Sequence, residues 1–125
     1  MAFLKYKKLI DGSEGNYWRI NQVLHNKMDD ETSAKLDLYC SHEQRLVAVG
    51  HPLKDSISFY FKADDHPISE FVLGEDAPTS AEEIPFYLIY NHIKSIASYA
   101  ETVNEANRTQ NEHTSMFFVD AVDYI

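Results

Sequence analysis

Cysteine is almost missing from this chain of 125 residues. Cys40 stands alone, so no internal disulfide can staple the fold. Thiolate zinc sites of the finger or ribbon type are excluded with it. Glycine and proline number four each, too few for a collagen-like or low-complexity chain and too few glycines for a phosphate cradle. Nucleotide-binding glycine motifs and the Gly-x-Ser-x-Gly elbow are absent. No uninterrupted apolar run approaches the roughly 20 residues of a membrane-spanning helix, which argues against a membrane partner. The opening Met1-Ala2-Phe3-Leu4-Lys5-Tyr6-Lys7-Lys8 lacks the apolar centre of a signal peptide, so synthesis in the cytoplasm is expected.

Positive charge is scarce in one half. Residues 1–62 carry nine basic and eight acidic side chains, whereas residues 63–125 carry two and twelve. Between Lys62 and Lys94 there is no Lys or Arg, and Asp64, Asp65, Glu70, Glu75, Asp76, Glu82 and Glu83 all fall there. Such a half repels a phosphate backbone, so no nucleic-acid partner is expected. The asymmetry reads either as an ordinary solvated surface or as a dipolar subunit suited to ring or stack assembly. Hydrophobic residues make up 44% and aromatics 13%, which excludes a disordered acidic tail and leaves one domain, 1–125, with a real core.

Up to about residue 73 the hydrophobic period is near two, which predicts strands. The first runs from Ala2 to Ile10. Asp11-Gly12-Ser13-Glu14-Gly15-Asn16 is turn chemistry, and a second strand follows over 17–25 with Trp18, Ile20 and Leu24 on one face. Residues 26–32 read as a loop. In the third strand Ala34, Leu36, Leu38 and Cys40 face the core, while Lys35, Asp37 and Tyr39 face out, which makes Cys40 an inert core thiol. Leu46-Val47-Ala48-Val49 is a short apolar run. Ser56 to Lys62 alternates again, with Ile57, Phe59 and Phe61 inward, and a last strand is expected over 68–73. Six strands predict a meander, a small barrel or a sandwich over 1–75, with Lys5, Lys7 and Lys8 guarding an edge.

After Gly74 the period changes. Residues 76–103 comprise a linker and a helix. Ser80 and Glu83 have capping-box spacing, but Pro85 disfavours helix at Ile84, so a short turn at 80–83 and Pro85 in the first helical turn fit better. Phe86, Ile89, Tyr90, Ile93, Ile96, Ala97 and Ala100 then recur at helical spacing. This is an α+β fold: an antiparallel β-rich first part closed by one helix. Residues 104–115 are polar and read as a frayed helix end or a loop. Residues 116–125 form an apolar tail that must be buried, on its own domain or on a neighbouring subunit.

Six histidines, His25, His42, His51, His66, His92 and His113, are scattered without ligand spacing. Asp64-Asp65-His66-Pro67 is the densest donor cluster and equally a polar turn. His92 lies beside the buried helical stripe, where a hydrogen-bonded core or boundary histidine is more common than a catalytic one. No cofactor or metal is expected, and no residue recommends itself as catalytic. Tyr17, Tyr39 and Tyr60 fall on the outward phase of their strands. They form either a contact surface or cross-strand packing on a half-covered sheet.

Leu9-Ile10-Asp11-Gly12 through Asn16-Tyr17-Trp18-Arg19-Ile20-Asn21 resembles the opening of small virion-associated proteins of tailed bacteriophages. The pattern continues in Lys35-Leu36-Asp37-Leu38-Tyr39-Cys40-Ser41, in a helix such as Pro85 to Ala97, and in the acidic Phe118-Val119-Asp120-Ala121-Val122-Asp123. The polar stretch 104–115 and the Tyr124-Ile125 end depart from it. The resemblance implies a structural role in a tail, baseplate or connector, without catalysis. It also implies location in the virion, other virion proteins as partners, and repeated copies around a symmetry axis, that is, a homo-oligomer. The contact residues expected for that role are Tyr17, Tyr39, Tyr60, Met116, Phe117, Phe118, Tyr124 and Ile125. The alternative is a stand-alone module that binds carbohydrate or a host protein on its strand tyrosines.

Overall fold

A computed structural model describes residues 2–41, 53, 55–64, 66, 70, 71 and 78–124. The period-two part forms β1 (Ala2–Lys8), β2 (Glu14–Asn26), β3 (Glu31–Tyr39) and β4 (Ser56–Phe61). β1 ends before Ile10 because the chain already closes on itself. Leu9 N–H donates to the Ser13 carbonyl at 2.8 Å, and Gly12 N–H returns to the Leu9 carbonyl at 3.0 Å. Gly12 turns the corner at φ +90°, a conformation that costs glycine little. Gly15 is required for a different reason: a Cβ there would lie 2.7 Å from the Tyr39 carbonyl oxygen.

The four strands make an antiparallel meander. The chain later returns to lay β5 (Val122–Tyr124) antiparallel beside β1, giving the order β4-β3-β2-β1-β5. The α+β class holds, and its β part among the described residues is a single sheet. Leu46 to Val49 lies outside the described residues. So does the strand expected over 68–73, apart from Glu70, which sits in a 3-10 turn, and Phe71, which packs into the core.

One register change reverses an expectation. Ile20 pairs with Leu36 but Gln22 pairs with Lys35, so Asn21 is an extra residue in β2. A bulge of this kind switches the face of every residue beyond it. Val23 therefore packs against the core, and Leu24 is 57% exposed.

The helical part begins with a turn in which Glu83 and Ile84 N–H both donate to the Ser80 carbonyl, at 3.1 and 3.2 Å. Helix α1 (Ile84–Ala100) follows with Pro85 in its first turn and no Ser80–Glu83 capping box. Ile89, Tyr90, Ile93, Ile96, Ala97 and Ala100 are buried as the spacing predicts. In the first turn it is Tyr87 that is buried, and Phe86 is half-exposed. This face lies on Trp18, Leu36, Leu38, Phe59 and Phe61 of the sheet.

The polar stretch 104–115 is not a loop throughout. Glu105–Asn107 is a 3-10 turn, and Gln110–Ser115 is helix α2. Thr109 and Glu112 form the capping box of α2. Glu112 Oε1 accepts from Thr109 N–H at 2.9 Å, and Thr109 Oγ1 accepts from Glu112 N–H at 3.3 Å. Arg108 Nε donates to the Ala100 carbonyl at 2.9 Å, satisfying an end of α1.

The tail docks on its own chain. Met116–Phe118 forms a 3-10 turn, and the buried Phe118 ring stands 4.6 Å from Phe3 and 5.9 Å from Trp18. β5 is then held by its pairing with Ala2, Phe3 and Leu4, and by Lys94 Nζ to Asp123 at 2.6 Å. Replacing Phe118 by Ala should cost about 3–5 kcal/mol, because it leaves a ring-sized cavity between three elements. Urea unfolding of the variant measures this. A loss under about 1 kcal/mol would mean that the tail is not part of the core.

Candidate interaction surface

The tyrosines do not make one open platform. Tyr17 and Tyr39 pair directly across β2 and β3, with ring centres 6.2 Å apart edge to face. Both are only 4% exposed and form a small second cluster with Ala2 and Leu4. Asn21 Nδ2 donates to the Tyr39 hydroxyl at 2.9 Å and to Asp37 Oδ2 at 2.8 Å. Only Tyr60 stays open, at 56%. Strand alternation gives the side on which a residue lies; it does not say whether that side is covered.

The other expected contact residues are redistributed in the same way. Phe118 is core, and Met116 and Phe117 are half-buried. The Tyr124 backbone pairs with Ala2, and Ile125 lies outside the described residues. Cys40, expected in the core, is exposed. The strand alternation ends at Tyr39, so the phase that would have buried residue 40 no longer applies.

The strand edges of the sheet differ. On β4, Asn111 of α2 grips the backbone of Tyr60. Its Oδ1 accepts from Tyr60 N–H at 3.3 Å, and its Nδ2 donates to the Tyr60 carbonyl at 2.6 Å. One amide side chain thus replaces a neighbouring strand. On the opposite side, β5 covers β1 only over Ala2 to Leu4, so Lys5, Lys7 and Lys8 stand on the half of β1 that no described strand covers, as the lysine argument expects; Lys5 also pairs with Asp120 and Lys7 with Asp55 at 2.7 Å. β5 is itself short and carries the paired Asp123, both features that discourage sheet extension. Burial works to raise the Asp123 carboxyl pKa, but Lys94 and Tyr90 outweigh it and hold the group below its ordinary range.

The overhang of β2 has no such cover among the described residues. β1 pairing with β2 stops at Ala2 opposite Arg19, whereas β2 continues against β3 to Asn26 opposite Glu31. Gln22, Val23, Leu24, His25 and Asn26 therefore have no ladder partner on one side among the described residues, and none carries formal charge. Four of the five are exposed, and the tip beyond them presents Met28 at 94% exposure. The signal for this surface was present in the sequence as a run without charge from Ile20 to Asn26.

Donor chemistry gathers in one other place. His66 and His92 lie 5.1 Å apart, ring centre to ring centre, and His92 stacks on Phe71 at 4.0 Å. With Ser95, Tyr99, Thr109 and Glu112 they line a cavity of about 250 Å³. Burial, and then the nearby His66, pull His92 down to about 4, so it is neutral at pH 7. Among the described residues no three His, Cys, Asp or Glu side chains gather to hold a metal. His42, His51, Asp65 and Pro67 lie outside the described residues. Compared with known proteins, the chain matches no family model, no curated protein and no solved structure.

Two expectations follow from these contacts. Asn111→Ala should cost about 1–2 kcal/mol and speed hydrogen exchange at the Tyr60 amide; unchanged exchange would mean that the amide grip does not protect the edge. For His92 the folded value lies below the unfolded 6.5. The unfolded chain therefore takes up the extra proton as pH falls from 6.5 toward 4, and stability drops through that window. The loss should reach about 2 kcal/mol after allowance for solvent screening. His92→Phe, which keeps a ring on Phe71 and cannot titrate, should flatten that slope in denaturation curves taken from pH 7 to pH 4.

Proposed function

We propose that this chain is a non-catalytic structural subunit of a tailed-phage virion, working in the tail, baseplate or connector through protein contacts in a symmetric assembly. The observation that carries the reading is the edge from Gln22 to Asn26. It is unpaired and uncharged among the described residues, whereas Asn111 grips β4 at Tyr60, β5 covers Ala2 to Leu4, and lysines stand on the rest of β1. An unpaired, uncharged strand edge is a template for another chain. The resemblance of residues 9–21 and 35–41 to virion proteins supplies the class of assembly.

In the histidine cavity the imidazole at position 92 is neutral; one carboxylate oxygen of Glu112 caps α2, while the other and His92 Nε2 are buried without a hydrogen-bond partner. The carbohydrate or host-protein module loses its platform, since two of its three tyrosines are buried.

The test is quantitative peptide mass spectrometry on purified particles from the source culture. The chain should appear at a fixed ratio to the major shell protein, and the ratio should match a ring symmetry. Its absence from the particles would overturn the reading.

A further inference from the structure

Two buried polar atoms beside the histidine cavity have no hydrogen-bond partner. His92 on α1 is 8% exposed and Glu112 on α2 is 6% exposed. His92 Nε2 and Glu112 Oε2 are the unpaired atoms, although the other Glu112 oxygen takes the Thr109 N–H at 2.9 Å. Buried polar atoms are nearly always paired, and leaving one unpaired is costly. Both residues line the cavity of about 250 Å³, together with His66, Ile96 and Tyr99.

The chemistry of the two atoms narrows what satisfies them. A carboxylate oxygen only accepts, and a neutral imidazole protonated at Nδ1 accepts at Nε2. His92 is neutral at pH 7, because burial and the nearby His66 hold it at about 4. A partner that donates to both atoms is therefore required. Positive charge is favoured as well, since a buried carboxylate without a counter-charge is unfavourable. No Lys or Arg lines the cavity. The two basic side chains of residues 63–125 are engaged elsewhere, Lys94 by Asp123 and Arg108 by the Ala100 carbonyl.

Metal ions fit this donor set poorly. A hard cation takes roughly six to eight oxygen ligands and finds one carboxylate here. Zinc takes about three protein ligands or more. Among the described residues no three His, Cys, Asp or Glu side chains gather to supply them. An organic ammonium brings the charge, N–H donors for both atoms, and carbon for Ile96 and the half-open ring of Tyr99.

We propose that this cavity binds a primary ammonium group on a short alkyl chain, with the unpaired Glu112 oxygen and His92 nitrogen as its acceptors. The site adds to the assembly reading and does not depend on it. NMR titration of the full chain with n-butylammonium chloride tests it, at roughly 0.15 M salt to screen the acidic surface. The ring lines of His92, identified by their loss in His92→Phe, should shift saturably with a Kd on the order of 1 mM. Tetramethylammonium has the charge without an N–H, and n-butanol has the chain without the charge. Each should bind at least about tenfold more weakly. Glu112→Gln keeps an oxygen for the Thr109 N–H and loses the charge, so it should weaken binding about tenfold with thermal unfolding unchanged. An equal shift with Nα-acetyl-lysine methylamide makes a lysine side chain of another protein the source of the ammonium; binding of butylammonium alone makes it a free amine. No saturable shift up to on the order of 50 mM overturns the proposal. So does tetramethylammonium binding equally well, Glu112→Gln binding like the wild type, or zinc ion moving the His92 lines where butylammonium does not.

Discussion

Phe118 closes the inner face of the sheet by fitting between Phe3 and Trp18, and the rest of the structure depends on that wedge. Trp18 is completely buried, with its indole N–H donated to the Lys5 carbonyl at 3.0 Å. Its faces are finished by Phe117 and Phe118, which come from the other end of the chain. Phe3 stacks on Tyr90 of α1 at 4.4 Å, and the Tyr90 hydroxyl donates to the Ala2 carbonyl at 3.2 Å. Burial, with the Asp123 carboxylate nearby, raises the Tyr90 pKa and keeps that donor protonated. The first strand, the helix and the last strand are therefore mutually dependent. Because the contacts of Phe3 and Trp18 with α1 and the tail join residues 87 to 115 positions apart, their loop-closure cost must be met before they stabilise anything, and the core forms as a unit.

Edge management follows from the same closure. Bringing the tail to β1 provides β5 as a cover, and the segment that leads to it provides α2, whose Asn111 blocks β4. A polar stretch thus does two structural jobs: it caps its own helix through Thr109 and Glu112, and it grips the β4 edge at Tyr60. The overhang of β2 beyond Arg19 stays unpaired among the described residues, since the β1 ladder ends there.

The aromatic content, which invites a binding-platform reading, is mostly spent inside. Phe59, Phe61 and Phe71 join His92 of α1 in a continuous chain of stacked and edge-to-face rings, and Tyr17 with Tyr39 fills the other face. His92 belongs to this stack as a neutral ring rather than as a base, which is why its burial is tolerated.

Local pattern by itself determined a good deal of this protein. It determined the strand identities of β1 to β4, the Asp11–Ser13 turn, a helix opening at Pro85, and the burial of Ile89, Ile93 and Ile96, because periodicity and turn chemistry act within a few residues. Thr109 and Glu112 stood at capping-box spacing as well, though the absence of large apolar residues around them hid the helix. Tertiary structure alone decided the rest. The bulge at Asn21 exchanged Val23 and Leu24 between faces. The placement of Ala2 and Leu4 buried two tyrosines that alternation had turned outward. The tail became a strand rather than a free arm, and β1 lost its edge along one half. Each depends on which distant segment arrives alongside, and a short-range period carries no information about that.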